Sequence, residues 1–139
     1  MAAARVDTHR PFRGAFAGTT EFTGPCTEPG TIRIQDRGAG VMTHLGASTM
    51  EQSGCLAPTE TGFTSVGEGA GHFVAANGDM LRFAGVSASG DLQTGVAHAT
   101  FVIRGGSGRF QAAEGELEVV TQLLPEGAWT SSVSGWISY

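Results

Sequence analysis

Residues 62–88, GFTSVGEGAGHFVAANGDMLRFAGVSA, contain the clearest fold signal in the chain. The dipeptide Asn77-Gly78 stands between two segments of strand length, and Asn-Gly is a strong signal for a tight β-hairpin turn. Apolar residues alternate with small or polar ones on both sides of it, as expected for strands that are buried on one face. The stretch therefore predicts two long antiparallel strands joined at this turn.

The chain on either side of this hairpin has the same character. In residues 12–22, Phe12, Phe16 and Phe22 share one parity, which predicts a strand with one buried face. Further segments of strand length, separated by short turns rich in Gly, Pro and Asp, are TIRIQDR, AGVMTHLGASTMEQS, GVAHATFVIR, EGELEVVTQLL and AWTSSVSGWISY. About eight strands follow one another, and 22 glycines disfavour helix throughout the chain.

The fold class predicted from this pattern is all-β, an eight-stranded antiparallel β-barrel, because closure removes the exposed edge strands that promote aggregation. A two-sheet sandwich is the alternative. A chain of 139 residues has room for one core, so we expect a single barrel domain over residues 12–139 after a flexible N-terminal segment, residues 1–11. In a barrel of about eight strands, the interior is either filled by side chains or holds one small ligand.

Charge and composition exclude several function classes. The net charge is −5 and the eight basic residues, all arginine, are scattered, which argues against nucleic acid as a partner. The absence of lysine excludes Schiff-base catalysis and a P-loop. No run of 18 apolar residues and no signal-peptide pattern occurs, so we expect a protein that is not in a membrane and is cytoplasmic.

The two cysteines qualify that location. Cys26 and Cys55 lie in turn-rich segments, TGPCTEPG and QSGCLAPTE, and a bridge between them would stabilise the fold by about 3 kcal/mol through loop closure. A disulfide would indicate an oxidising compartment and an exported protein, whereas two free thiols would fit the cytoplasm. Both alternatives stay open. The cysteines have no CxxC spacing for a metal.

A second glycine-rich stretch, RGGSGRFQAAEG at residues 104–115, could cradle a phosphate or could only turn the backbone. An anion site would need a helix N-terminus behind the loop, and the sequence that follows predicts a short turn into a strand. We therefore expect Gly105, Gly106 and Gly108 to allow positive φ in a tight turn, after which Phe110 re-enters the core.

The segment TFVIRGGSGRFQAAEG resembles the signature of the allene oxide cyclase barrel-like superfamily, and GTTEF, GEGAGHFVAANGDMLRFAG and SGWISY extend the similarity over most of the chain. The resemblance, to a bacterial member, implies an eight-stranded antiparallel barrel with an apolar lumen. Its best-known enzymes cyclise unstable hydrophobic substrates without a cofactor, using a lumen glutamate and a water held by asparagine and serine. Glu21 lies where such a glutamate is expected, but the one asparagine, Asn77, is used in the hairpin.

Polar residues inside predicted strands provide the other candidates for catalysis. If the turn pairs Ala76 with Asp79, His72 lies opposite Phe83, and Glu68 shares their parity. Glu68 and His72 could then face the lumen and act with Glu21 as the catalytic acids and bases. On the alternative register they lie on the outer wall and Phe73 points inward.

Ligand contacts are predicted from the same register. His98, placed beside Gly85, and His44, on the other flank, would complete the layer, with Phe83 and Phe101 as apolar contacts. A metal held by these side chains is the weaker alternative, so we expect no metal and no cofactor.

Three functions follow from these expectations. The first is a cofactor-independent cyclase or isomerase that acts on a small hydrophobic substrate in the barrel lumen. The second is a non-catalytic barrel that binds a small hydrophobic molecule. The third is a structural barrel with a filled lumen, and a homo-oligomer is compatible with all three.

Overall fold

The computed structural model describes residues 9–139. The eight strands are β1 (Arg10–Pro25), β2 (Ile32–Met42), β3 (Gly46–Pro58), β4 (Gly62–Val74), β5 (Met80–Asp91), β6 (Val96–Gly106), β7 (Glu114–Leu123) and β8 (Ala128–Ser138). Each pairs antiparallel with the next, and β8 pairs with β1 to close the barrel. The predicted all-β fold and eight-stranded antiparallel barrel are confirmed.

The structure describes only part of the N-terminal segment predicted over residues 1–11. Residues 1–8 lie outside the described residues, and β1 already begins at Arg10. Pro11 pairs with Trp136 of β8, so the first strand takes in the last two residues assigned to that segment.

The two ends of the barrel differ in how they are filled. At one end, which carries the β2–β3, β4–β5 and β6–β7 connections, the lumen is plugged by Phe12, Leu81, Phe110 and Ile137, all 0% exposed. We call this the closed end. The other end carries the β1–β2, β3–β4, β5–β6 and β7–β8 connections and leaves the lumen accessible, and we call it the open end. The apolar core therefore occupies the closed half of the barrel.

The hairpin at Asn77-Gly78 is present, but its register differs by one residue from the prediction. The Ala75 N–H donates to the Asp79 carbonyl, and Gly78 has a φ of 93°, so the connection is one residue longer than a two-residue turn. In consequence Phe83 pairs with Gly71, and His72 pairs with Arg82. A slip of one residue moves every side chain to the other face, so His72 does not share the face of Phe83.

The loop after β6 is the tight turn that the sequence predicts. Gly105 and Gly108 have φ values of 78° and 56°, a short 3-10 helix spans Gly108–Phe110, and Phe110 is buried in the core. Gly106 does not share the positive φ expected for it. A Cβ at Gly106 would lie 2.0 Å from the Met80 carbonyl oxygen, so its glycine permits a close approach to β5.

The two cysteines form a disulfide, so the bridged alternative is the one that the structure takes. Cys26 in the β1–β2 connection is joined to Cys55 of β3, with their Cα atoms 6.2 Å apart. The bridge ties a connection of the open end to the neighbouring barrel wall. In the described part of the chain, no helix has the length and apolar character to cross a membrane.

Candidate ligand-binding site in the barrel lumen

The open half of the barrel encloses a cavity of about 490 Å³. This volume falls within the range of about 300–1,000 Å³ that is usual for small-molecule sites. Its floor includes Phe16, Phe73 and Phe101, and its walls are mostly apolar. The lumen is thus filled at one end and available to a ligand at the other.

Three polar side chains form one layer on the cavity wall, on neighbouring strands. Asp36 of β2 pairs with Thr20 of β1 on one side and with Gln52 of β3 on the other. The Thr20 hydroxyl donates to Asp36 Oδ1, and the Gln52 amide donates to Oδ2 at 2.7 Å. All three line the cavity, so both oxygens of this carboxylate are held by neighbours in the same layer.

The Asp36 carboxyl is buried, with 8% of its surface exposed. Burial raises the pKa of Asp36 above its ordinary 3.8, because removal from water disfavours the charged form. The hydrogen bonds from Thr20 and Gln52 act in the opposite direction and are the smaller effect. A carboxyl in this setting can hold or release a proton closer to neutrality than an exposed one.

The indole of Trp129 lies beside this layer, one step towards the closed end. Trp129 pairs with Gly18, which is two residues before Thr20 on β1. A Cβ at Gly18 or Gly38 would approach the indole ring to 2.6 or 2.7 Å, so the two glycines leave the space that the ring occupies. The indole is 4% exposed and lines the cavity, and its N–H has no hydrogen-bond partner among the described residues.

The mouth of the cavity is apolar. Phe22, Ile32, Leu92 and Leu124 line it and are 71%, 44%, 67% and 42% exposed. They stand at the ends of strands or in the connections of the open end. Large apolar side chains gathered around a cavity mouth are typical of a route for an apolar ligand.

Glu68 and His72 do not reach this cavity. The two side chains lie on the outer wall of β4, because Gly71 and Phe73 take the inward positions. Arg104 donates two hydrogen bonds of 3.1 Å to Glu68, and these lower the pKa of Glu68. Their expected lumenal position is therefore corrected: the alternative register, with Phe73 inward, is the one that the structure has.

His72 and Glu21 are likewise outside the lumen. His72 lies 3.8 Å from Glu51, which also pairs with Arg37 at 3.6 Å. Glu21 is exposed on β1, because its neighbours Thr20 and Phe22 take the positions that line the cavity. The position that the resemblance implies for a lumen glutamate is thus not lumenal here, and the carboxylate in the lumen comes from the next strand.

The predicted ligand contacts are divided between the two halves of the barrel. Phe101 lines the cavity, and Phe83 stacks on it with ring centroids 4.1 Å apart, in the core below. His98 is an exposed residue, and it lines the cavity together with its neighbours Ala97 and Ala99, as predicted. His98 pairs with Ser89 instead of lying beside Gly85, because the connection between β5 and β6 spans residues 92–95 and sets the register from Asp91↔Val96 onward.

His44 belongs to the closed end. It has a φ of 69° in the β2–β3 connection, its Nε2 lies 2.9 Å from the Pro11 carbonyl, and its Nδ1 lies 3.2 Å from the Tyr139 hydroxyl. His44 therefore bridges Pro11 of β1 and Tyr139, which follows β8, and does not contact the cavity. Within residues 9–139, no three His, Cys, Asp or Glu side chains are placed to hold a metal ion.

No family model matches this chain, and no curated protein matches it. The resemblance to the allene oxide cyclase barrel-like superfamily stays a prediction from the motif.

Asp36, Thr20 and Gln52 are the functional candidates that sequence reasoning missed. A signal for Asp36 was present in TIRIQDR, where Ile32, Ile34 and Asp36 share one parity. A carboxylate on the buried parity of a strand is unusual, because an ionised group is costly to bury without partners. That pattern identifies Asp36, whereas its partners depend on the pairing of three strands.

Proposed function

We propose that the barrel binds a small, largely apolar molecule in its lumen and that Asp36 holds the polar group of that molecule. The observation that carries the proposal is the buried Asp36 layer on the wall of an otherwise apolar cavity. Apolar walls supply affinity, and a few placed polar groups fix the orientation of the ligand. A structural barrel with a filled lumen would not leave a cavity of about 490 Å³ beside a buried carboxyl.

Binding can be tested with N-phenyl-1-naphthylamine, a neutral apolar probe whose fluorescence rises in apolar surroundings. The protein should bind this probe with a single saturable site. Ala88 and Ala99 line the cavity, so Ala88→Phe or Ala99→Phe should fill it and reduce the affinity at least tenfold. Ala47→Phe is the matched control, because Ala47 is exposed on the outer wall of β3. Equal binding by all these proteins would place the probe outside the lumen and refute the proposal.

A second function, cofactor-independent cyclisation or isomerisation of a small hydrophobic substrate, is favoured by the state of Asp36. A carboxyl whose pKa is raised by burial is suited to give a proton to a bound substrate, or to take one from it. Thr20 and Gln52 would then be positioning residues that orient the carboxyl. The resemblance to the allene oxide cyclase barrel-like superfamily supports the same chemistry, with Asp36 in place of the expected Glu21.

Isomerisation changes the structure of a substrate without changing its mass, which gives a test that needs no known substrate. The protein is incubated with a lipid-soluble cell extract, and liquid chromatography with mass spectrometry is used to find species that change retention time at constant mass. Such a change should occur with the wild type and with Glu21→Gln and be lost with Asp36→Asn. A conversion that survives Asp36→Asn would exclude Asp36 as the acid or base.

A further inference from the structure

The cavity lining contains a carboxyl but no arginine. Among the described residues that line the cavity, Asp36 is the one carboxylate, and no arginine is present. Thr20 and Gln52 each donate one hydrogen bond to an Asp36 oxygen, and neither of them brings a positive charge to the carboxyl. The remaining ionisable side chain, His98, is exposed. The lumen therefore offers a buried carboxyl whose ionised form would have no arginine in the cavity lining to balance it.

Aromatic side chains surround the same space. Phe16, Phe73, Phe101 and Trp129 line the cavity below the Asp36 layer, and Phe63 lines it nearer the mouth. The faces of aromatic rings attract ammonium groups, with tryptophan the strongest, and cages of aromatic rings are a common way to bind them. A carboxylate combined with aromatic walls is a set of groups that suits an organic cation.

The connections at the open end also carry acidic side chains. Glu28, Glu60 and Glu126 are exposed, one in each of three connections, and Asp91 ends β5 beside the fourth. Among the described arginines, Arg33 lies on the outer wall near this end, and Arg37 pairs with Glu51. Those at the closed half are Arg10, Arg13, Arg82, Arg104 and Arg109. Carboxylates at a cavity mouth attract cations and repel anions during approach.

We propose that the ligand of the lumen is an organic cation, a small apolar molecule that carries one ammonium group, with the ammonium on Asp36 and the apolar part among the aromatic walls. This inference rests on the proposed binding in the lumen and gives the ligand its chemical class. A fatty acid would bring its carboxylate past the acidic residues of the open-end connections to the buried carboxyl of Asp36, with no arginine in the cavity lining to pair with it. A neutral molecule would bring no positive charge to pair with the ionised form of Asp36, whereas an ammonium group would stabilise that form.

The test compares three ligands with the same ten-carbon chain: decylammonium, decanol and decanoate. Each ligand is titrated at pH 7, below its critical micelle concentration, into the protein with bound N-phenyl-1-naphthylamine, and displacement of the probe is measured. Decylammonium should bind about tenfold more tightly than decanol, because a charge-assisted hydrogen bond is stronger than a neutral one. Decanoate should bind most weakly of the three.

Two variants assign this preference to Asp36. Asp36→Asn should remove the preference for decylammonium over decanol, so that the two affinities differ by less than about twofold. Glu21→Gln, which alters an exposed carboxylate on the neighbouring strand, should keep the preference. The order of the three affinities on the wild type tests the preference for a cation even if Asp36→Asn fails to fold. Decanol or decanoate binding as tightly as decylammonium, or a preference that survives Asp36→Asn, would overturn the inference and leave lumenal binding intact. If N-phenyl-1-naphthylamine itself does not bind, the proposed function fails, and the inference with it.

Discussion

Replacement of Gly105 by alanine measures how far the glycine-rich loop depends on backbone freedom. Gly105 has a φ of 78°, and its N–H donates to the Ala113 carbonyl at 2.9 Å, which closes the loop between β6 and β7. A non-glycine residue in the left-handed region costs about 1–2 kcal/mol. Alanine also reduces the entropy of the unfolded chain, which offsets about 0.4–1 kcal/mol of that cost.

Crowding adds to this cost at Gly105. A Cβ there would lie 3.1 Å from the Gln111 carbonyl oxygen, so the loop must shift by a few tenths of an ångström. We expect Gly105→Ala to lower the free energy of unfolding by about 1–2 kcal/mol. Gly108→Ala should cost more, because its Cβ would lie 2.2 Å from an Asp79 carboxylate oxygen and would displace that side chain.

Gly30 provides the matched control for this prediction. It has the same φ of 78°, and a Cβ there would meet no atom within 4 Å, so Gly30→Ala reports the backbone strain alone. Equilibrium urea unfolding, followed by tryptophan fluorescence, gives the three free energies, and we expect the loss to increase from Gly30→Ala through Gly105→Ala to Gly108→Ala. A Gly105→Ala protein as stable as the wild type would refute the argument from φ.

Three further predictions concern the lumen carboxyl, the disulfide and the outer wall. Because burial raises the folded-state pKa of Asp36 above 3.8, the stabilisation from its protonated form is full below about pH 3.8 and is lost as the pH rises through the raised pKa. Urea unfolding from pH 4 to 8 should therefore show the free energy of unfolding of Asp36→Asn rising relative to that of the wild type. A constant difference between the two proteins over this pH range would contradict the prediction. Replacement of Cys26 and Cys55 by serine should lower the free energy of unfolding by about 3–4 kcal/mol, because the bridge closes a loop with a sequence separation of 29. Thermal and urea unfolding measure this loss, and an unchanged unfolding midpoint would argue against the bridge. Glu68→Gln should leave the binding of N-phenyl-1-naphthylamine unchanged in a fluorescence titration, since Glu68 pairs with Arg104 on the outer wall, and a large loss of affinity would return Glu68 to the site.

The fold could be predicted because its signals are local. Strand parity, as in Phe12 and Phe16, and turn residues such as Gly105 and Gly108 each act within a few residues. Closure was favoured over a two-sheet sandwich because it removes exposed edge strands. The parity in β1 places Phe12 and Phe16 in the core as expected. The sequence alone did not decide whether the disulfide forms, because the bridge depends on how two distant segments meet in space.

The site could not be predicted because it depends on register. One extra residue in the hairpin at Asn77-Gly78 puts His72 opposite Arg82, and this moves Glu68 and His72 to the outer wall. Asp36 stood on the buried parity of its strand, but its partners lie 16 residues away on each side, in Thr20 and Gln52. Pairing across three strands is a property of the whole barrel, and a single sequence does not specify it.

The disulfide gives the mouth of the barrel one rigid side. The β1–β2 connection is the longest at the open end and would otherwise move most freely, but Cys26 is tied to β3, and the Cys26 N–H also donates to the Thr31 carbonyl at 3.3 Å. Entry to the lumen is then expected to depend more on the shorter connections that the bridge does not tie, which include Leu92 across the mouth, between β5 and β6, and Leu124 between β7 and β8. If the lumen binds a ligand as proposed, substitutions at Leu92 or Leu124 should change how fast the ligand exchanges more than they change its contact with Asp36.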